Sequence, residues 1–140
     1  MRARLLLSLG LVLSVASCGG DGVIDTGGGP PPNDAPTLTS LQTTIFTPLC
    51  AFSGCHGAPA PEQGMDLSEG KTYVYTVGVD SVELSRFKRV APGDASDSYL
   101  YMKLAGDPRI AGDRMPFGGM LTAAEIDAVR AWIDAGARDN

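Results

Sequence analysis

The sequence predicts a mostly α fold: one small helical domain whose elements are joined by long loops rich in glycine and proline. Three observations predict it. Apolar residues recur at helical spacing towards both ends of the folded region, the helix boundaries carry caps and stops, and glycines and prolines repeatedly interrupt what lies between.

The first helix is expected over residues 40–49, where Leu41, Ile45 and Leu49 fall at i, i+4 and i+8 on one face. It delivers Cys50. Residues 57–64 contain Pro59 and Pro61 and read as loop. The stretch MDLSEGKTYVYTVGV is compatible with a short helix or an extended segment, and a short helix is the reading adopted. A turn at Pro92-Gly93 leads into a helix over residues 96–104, capped by Ser96 or Asp97 and stopped by Gly106. DPRIAGDRMPFGGM is then a long loop of a kind that an ordinary small domain does not need. The last helix is the most clearly marked. Thr122 and Glu125 spell a capping box, Ile126, Val129 and Ile133 line one face, and Gly136 ends it.

The amino-terminal segment fixes the compartment. Arg2 and Arg4 precede an apolar run from Leu5 to Ala16, and VASC follows, so residues 1–17 read as an export signal. The apolar run is shorter than the roughly 20 residues a spanning helix needs. VASC resembles a bacterial lipobox, which makes Cys18 the lipidation site and the anchor to a membrane surface. Gly19 follows it in place of the aspartate that in some bacteria retains lipoproteins in the inner membrane, and this favours the outer membrane. Residues 18–37 are dense in Gly, Pro and Asp, too poor in aliphatic side chains to bury a core, and read as a flexible tether. The folded domain is expected over residues 38–140, a common domain size.

Charge and cysteine count narrow the function. The chain carries 11 basic and 16 acidic residues, and loss of Arg2 and Arg4 with the leader takes the net charge from −5 to −7. That balance argues against nucleic-acid binding and favours partners with basic docking faces. With Cys18 acylated, Cys50 and Cys55 remain as a pair in an oxidising setting.

The pair lies in CAFSGCH, with the chain's one histidine, His56, directly after Cys55. Two thiols followed at once by a histidine are what covalent haem attachment requires: the thiols add across the vinyl groups and the imidazole reaches the iron. The usual spacing leaves two residues between the cysteines; here there are four. The same pair could instead close a small disulfide loop, with His56 a solvent-facing side chain in a glycine-rich turn. A closed zinc site lacks further Cys or His ligands. Cysteine catalysis is disfavoured because adjacent Cys55 and His56 cannot easily face one another. Asp94 and Asp97 read as capping and turn residues, so no hydrolase constellation emerges.

A haem needs a sixth ligand from far along the chain. Met115 in DRMPFGG sits in the long loop just before the last helix, and Met120 in the same loop is its rival. Met102, flanked by Leu100 and Leu104, reads as core packing, and Met65 as an apolar anchor beside the cysteine loop. Arg114, Lys88 and Arg89 are candidate contacts for haem propionates. A domain with so few aromatic residues has little material for a core of its own, and a porphyrin would serve as its central packing element. The haem-free chain is accordingly expected to fold poorly.

Taken in order, the first helix, Cys50 to His56, GMDL, RVAPGDASDSYLYMKL, RMPFGG and LTAAEIDAVRAWIDAGA resemble the planctomycete-type cytochrome c domains, relatives of the monohaem class I fold. The resemblance runs from about residue 43 to residue 138. It implies thioether bonds at Cys50 and Cys55, His56 as proximal and Met115 as distal ligand of one haem c, and a last helix crossing the first with Trp132 in the contact. It further implies a carrier of single electrons to redox protein partners rather than an enzyme, with no small-molecule substrate. A His/Met iron has no open position, so peroxidase-like activity is expected only if Met115 is displaced. The runner-up is a haem-free, disulfide-stapled envelope lipoprotein that binds or scaffolds other components.

Overall fold

The computed structural model describes residues 34–140. The expected export signal, the lipidation site Cys18 and the tether up to residue 33 lie outside the described residues.

Helix α1 (Leu38–Leu41), a π-helical turn (Gln42–Phe46) and α2 (Thr47–Leu49) follow one another without a break and form a single rod. The rod starts at Leu38, earlier than the apolar spacing suggests, because Thr37 caps it: its hydroxyl accepts from the Ser40 N–H at 3.1 Å. Asn140 closes the same end. Its carbonyl accepts from the Thr39 N–H at 2.8 Å and its side-chain Oδ1 from the Leu38 N–H at 3.0 Å, so the first amides of the rod are satisfied.

The π turn holds more residues than an α turn, so the apolar stripe slips round the axis. Leu41, Ile45 and Phe46 are each 1% exposed, whereas Leu49, expected on the core face, is 38% exposed. Buried Gln42 lies within this turn and spends its whole amide on neighbours. It donates to the Leu67 carbonyl at 2.8 Å and the Thr47 hydroxyl at 3.0 Å, and accepts from the Thr72 hydroxyl at 2.6 Å. The rod is thereby tied to α3 (Thr72–Thr76), the short helix expected in that ambiguous stretch.

Helix α4 (Tyr99–Ala105) is shorter than the sequence suggests. Asp94 accepts from the Ser96 hydroxyl at 2.7 Å and the Asp97 N–H at 3.1 Å, closing a turn where the helix was expected to begin. Neither Ser96 nor Asp97 caps it. Ser98 stands at the N-cap, but its hydroxyl accepts from the Ala91 N–H at 2.8 Å and donates to the Asp94 carbonyl at 2.7 Å instead of capping. Gly106 ends α4 at φ 74°, as expected. Helix α5 (Ala123–Asp134) carries the full Thr122/Glu125 capping box.

Helices make up 36% of the described residues, and only isolated β-bridges connect the segments between them. The domain is thus small and helical, without a sheet among the described residues, but most of its backbone is irregular, and the mostly α expectation is corrected to that extent. The excess lies where glycine, proline and side-chain-stapled turns replace the last or first turns of helices. Helix α5 packs against both α1 and α4. The main core joins Leu41, Ile45 and Phe46 of the rod to Leu100, Val129, Trp132 and Ile133. Trp132 is 2% exposed and its indole N–H donates to the Arg138 carbonyl at 2.9 Å. Met102 is buried with Phe87 and Tyr99 in a second cluster, as its reading as core packing requires. Among the described residues no helix is long and apolar enough to cross a membrane.

Candidate functional site

Cys50 continues directly from the rod, its N–H still donating to the Phe46 carbonyl at 3.0 Å. The four residues that follow are wound into a compact turn. The His56 N–H returns to the Cys50 carbonyl at 3.1 Å and the Gly57 N–H to the Phe52 carbonyl at 3.0 Å. Gly57 is required by close approach, since a Cβ there would lie 2.4 Å from the Ala51 carbonyl oxygen. The Glu62 N–H donates to the Cys55 carbonyl and the Leu67 N–H to the His56 carbonyl, each at 2.7 Å, and so the loop is fastened to the segment that follows it.

Cys50, Cys55 and His56 all face one cavity of about 580 Å³. That size lies within the roughly 300–1,000 Å³ usual for small-molecule and cofactor sites. Phe46 and Leu49 of the rod, Met65 and Leu67, Leu100 and Leu104 of α4, and Met115, Pro116 and Phe117 supply a largely apolar wall. Both thiols are free, Cys50 half-buried and Cys55 exposed. Burial, with the nearby Cys55 adding to it, pushes the Cys50 thiol up to about 11. Burial holds the His56 imidazole below its usual basicity and Arg89 adds to the effect, while the Met65 and Glu62 carbonyls and the Glu62 charge oppose it. Its Nδ1 is buried and has no hydrogen-bond partner among the described residues.

Of the two candidate methionines, Met115 faces the cavity and Met120 does not; Met120 is 77% exposed. The physical reason is the way the loop is tethered. Helix α4 leaves its last carbonyls without helical partners, and the loop takes them up: the Met115 N–H donates to the Lys103 carbonyl at 2.9 Å and the Arg114 Nε–H to the Leu104 carbonyl at 2.8 Å. Met115 is pinned at the wall, and Met120, five residues on, is left outside. Arg114, a candidate propionate contact, caps the end of α4 through its Nε and is not among the residues lining the cavity. Lys88 is an exposed side chain in a surface ion pair with Asp80 and does not face the cavity. Arg89 does face it.

The sequence reading missed a polar corner of the same wall. Tyr99 donates through its hydroxyl to Glu83 Oε2 at 2.7 Å, and Lys103 Nζ donates to the same oxygen at 3.1 Å and to the Ala111 carbonyl at 2.8 Å. All three side chains face the cavity. Lys103 stands four residues after Tyr99 in an otherwise apolar helix, a spacing that puts both on one face and was the available signal. Glu83 carries no local signal, since only the tertiary fold brings it there. Among the described residues no group of three or more His, Cys, Asp or Glu gathers to hold a metal ion. What the arrangement can do is enclose an apolar ligand beside one imidazole, two thiols and one thioether. No protein-family model matches the chain, and no curated protein or solved structure matches it either.

Proposed function

We propose that the chain is a lipid-anchored, extracytoplasmic monohaem c-type cytochrome that carries single electrons. The observation that carries this reading is the convergence of Cys50, Cys55, His56 and Met115 on the wall of one largely apolar cavity. The donor set fits the cofactor. His56 lines the cavity with the Met65 and Glu62 carbonyls beside its imidazole, both thiols are free, and Met115 rather than its rival Met120 faces the same space. Cys50 and Cys55 are the residues that would hold haem covalently, and His56 and Met115 those that would ligate its iron. When bound, it supplies a one-electron ferric/ferrous couple, and thioether ligation raises the potential of that couple.

The chain's own residues do the rest. Phe46, Met65, Leu67, Leu100 and Leu104 give the site an apolar wall, which favours the less charged state of whatever lies against it. The hydrogen bond from the His56 N–H to the Cys50 carbonyl holds the histidine and the first thiol in fixed relation. The Lys103 carbonyl holds Met115 at the wall. Basic docking faces on redox partners would complement the acidic surface.

The test is the visible spectrum of the mature protein, exported together with a haem-attachment system and extracted with acid acetone. Colour that survives extraction supports the reading. A colourless, folded protein without free thiols would replace it with the disulfide-stapled envelope lipoprotein.

A further inference from the structure

Two buried cations stand on the cavity wall, and they are not alike. Lys103 is 9% exposed and has an acid partner, Glu83, at 3.1 Å. Arg89 is 8% exposed, and among the described residues no carboxylate lies within ion-pair distance of it. Its guanidinium is held by neutral groups alone. Nη1 donates to the Gly64 carbonyl at 3.1 Å and the Tyr75 carbonyl at 2.8 Å, and Nη2 donates to the Gln63 carbonyl at 2.6 Å. Five N–H groups less these three leave one on Nε and one on Nη2 without an acceptor among the described residues. Burial alone perturbs the group. An unpaired buried charge is costly, and proteins ordinarily compensate it.

The arginine is also aimed rather than incidental. The Leu100 N–H donates to the Arg89 carbonyl at 2.9 Å and the Tyr99 N–H to the Lys88 carbonyl at 2.9 Å. The segment carrying Arg89 is thus bonded to the first turn of α4, and the three carbonyls fix the guanidinium itself. We infer that Arg89 is the seat for a carboxylate brought by the occupant of the cavity, with its Nε–H and remaining Nη2–H as the donors. The ligand class is therefore a largely apolar body with an acidic edge. The inference rests on the haem reading to the extent that the carboxylate is one of the two propionates; Lys103, already neutralised by Glu83, is the weaker claimant.

The experiment uses the exported holoprotein carrying haem labelled with carbon-13 at both carboxyls, followed by NMR as the pH is lowered. An arginine beside a carboxylate lowers its pKa by about one to three units. One propionate is expected to stay ionised that far below the other, and Arg89→Met is expected to erase the difference while Lys103→Met leaves it. Arg89→Lys, which keeps the charge and loses the paired donors, is expected to fall between. Two propionates titrating together in the wild type overturn the inference while the coloured protein still supports the cytochrome. A split abolished by Lys103→Met and not by Arg89→Met overturns it as well. A wild type without covalent haem overturns both readings. Because the wild-type titration needs no variant, failure of Arg89→Met to fold does not stop the test.

Discussion

Replacing Gly57 by alanine tests whether the cysteine turn is as tight as its hydrogen bonds imply. The new Cβ would meet the Ala51 carbonyl oxygen at 2.4 Å, the Ala51 carbonyl carbon at 2.8 Å and the Phe52 carbonyl oxygen at 3.0 Å. All three obstacles are backbone, so nothing can swing aside. To reach a tolerable 3.0–3.4 Å the two strands of the turn must part by roughly 0.6–1 Å. That displacement stretches the 3.0 Å bond from Gly57 to Phe52 past usefulness and weakens the 3.1 Å bond from His56 to Cys50. Two net hydrogen bonds at about 1 kcal/mol each, plus residual strain, amount to about 2–3 kcal/mol. At about 4–8 °C per kcal/mol for a domain of this size, the expected fall in Tm is on the order of 10–20 °C. Moving His56 by the same distance relative to the thiols should also cut the yield of covalent haem several-fold. The control is Gly54→Ala. Gly54 adopts φ 81° with nothing within 4 Å of a built Cβ, so the change costs only the left-handed backbone penalty of about 1 kcal/mol. Thermal melts and extracted haem per mole of protein report both effects. A Gly57→Ala protein that melts with wild-type Tm and carries full haem would refute the close-approach reasoning.

Three further outcomes are expected. The Cys50→Ser/Cys55→Ser double variant, denied its central packing element, should lose its cooperative melt, and a sharp transition at unchanged Tm would show that the helices around the cavity hold without a ligand. Met115→Leu should keep covalent haem but let the reduced protein bind carbon monoxide, whereas Met120→Leu should leave the spectrum unchanged, because only the first side chain faces the cavity. Trp132→Ala should cost about 3–5 kcal/mol, since it empties a side chain only 2% exposed and strands the Arg138 carbonyl; a denaturant midpoint close to wild type would contradict that.

What was legible in the sequence was whatever depends on neighbours a few residues apart. The Thr122/Glu125 box, the Gly106 stop and the proximity of Cys50, Cys55 and His56 are local, and each stands where it was expected. Leu49 misled because the stripe Leu41, Ile45, Leu49 assumes α-helical pitch, and a π turn around buried Gln42 breaks that assumption. Ser96 and Asp97 misled because the Asp94 side chain captured them first. The propionate candidates were chosen by charge, Arg114 also because it adjoins Met115 and Lys88 and Arg89 as the basic residues of RFKRV. Arg114 holds the Leu104 carbonyl and Lys88 pairs with Asp80, both off the cavity wall, while Lys103 reaches the cavity from a helix that reads as plain core. None of these fates is written within a window of a few residues. They depend on which carbonyls a helix end leaves open and on which segment passes beside it.

The fastening of the Met115 loop to the end of α4 sets how often it opens. Lifting Met115 away from the wall gives up the bonds to the Lys103 and Leu104 carbonyls. At a net 1 kcal/mol or so apiece they contribute about 2 kcal/mol to the cost of opening, and the packing of the Met115 side chain against the core adds to it. The closed form therefore dominates at equilibrium. If Met115 is the ligand proposed above, small molecules that compete with its thioether would have to wait for that opening. Of the four residues that make these two bonds only Arg114 stands off the cavity wall, so a change at Arg114 would loosen the loop without altering the surface the cavity presents.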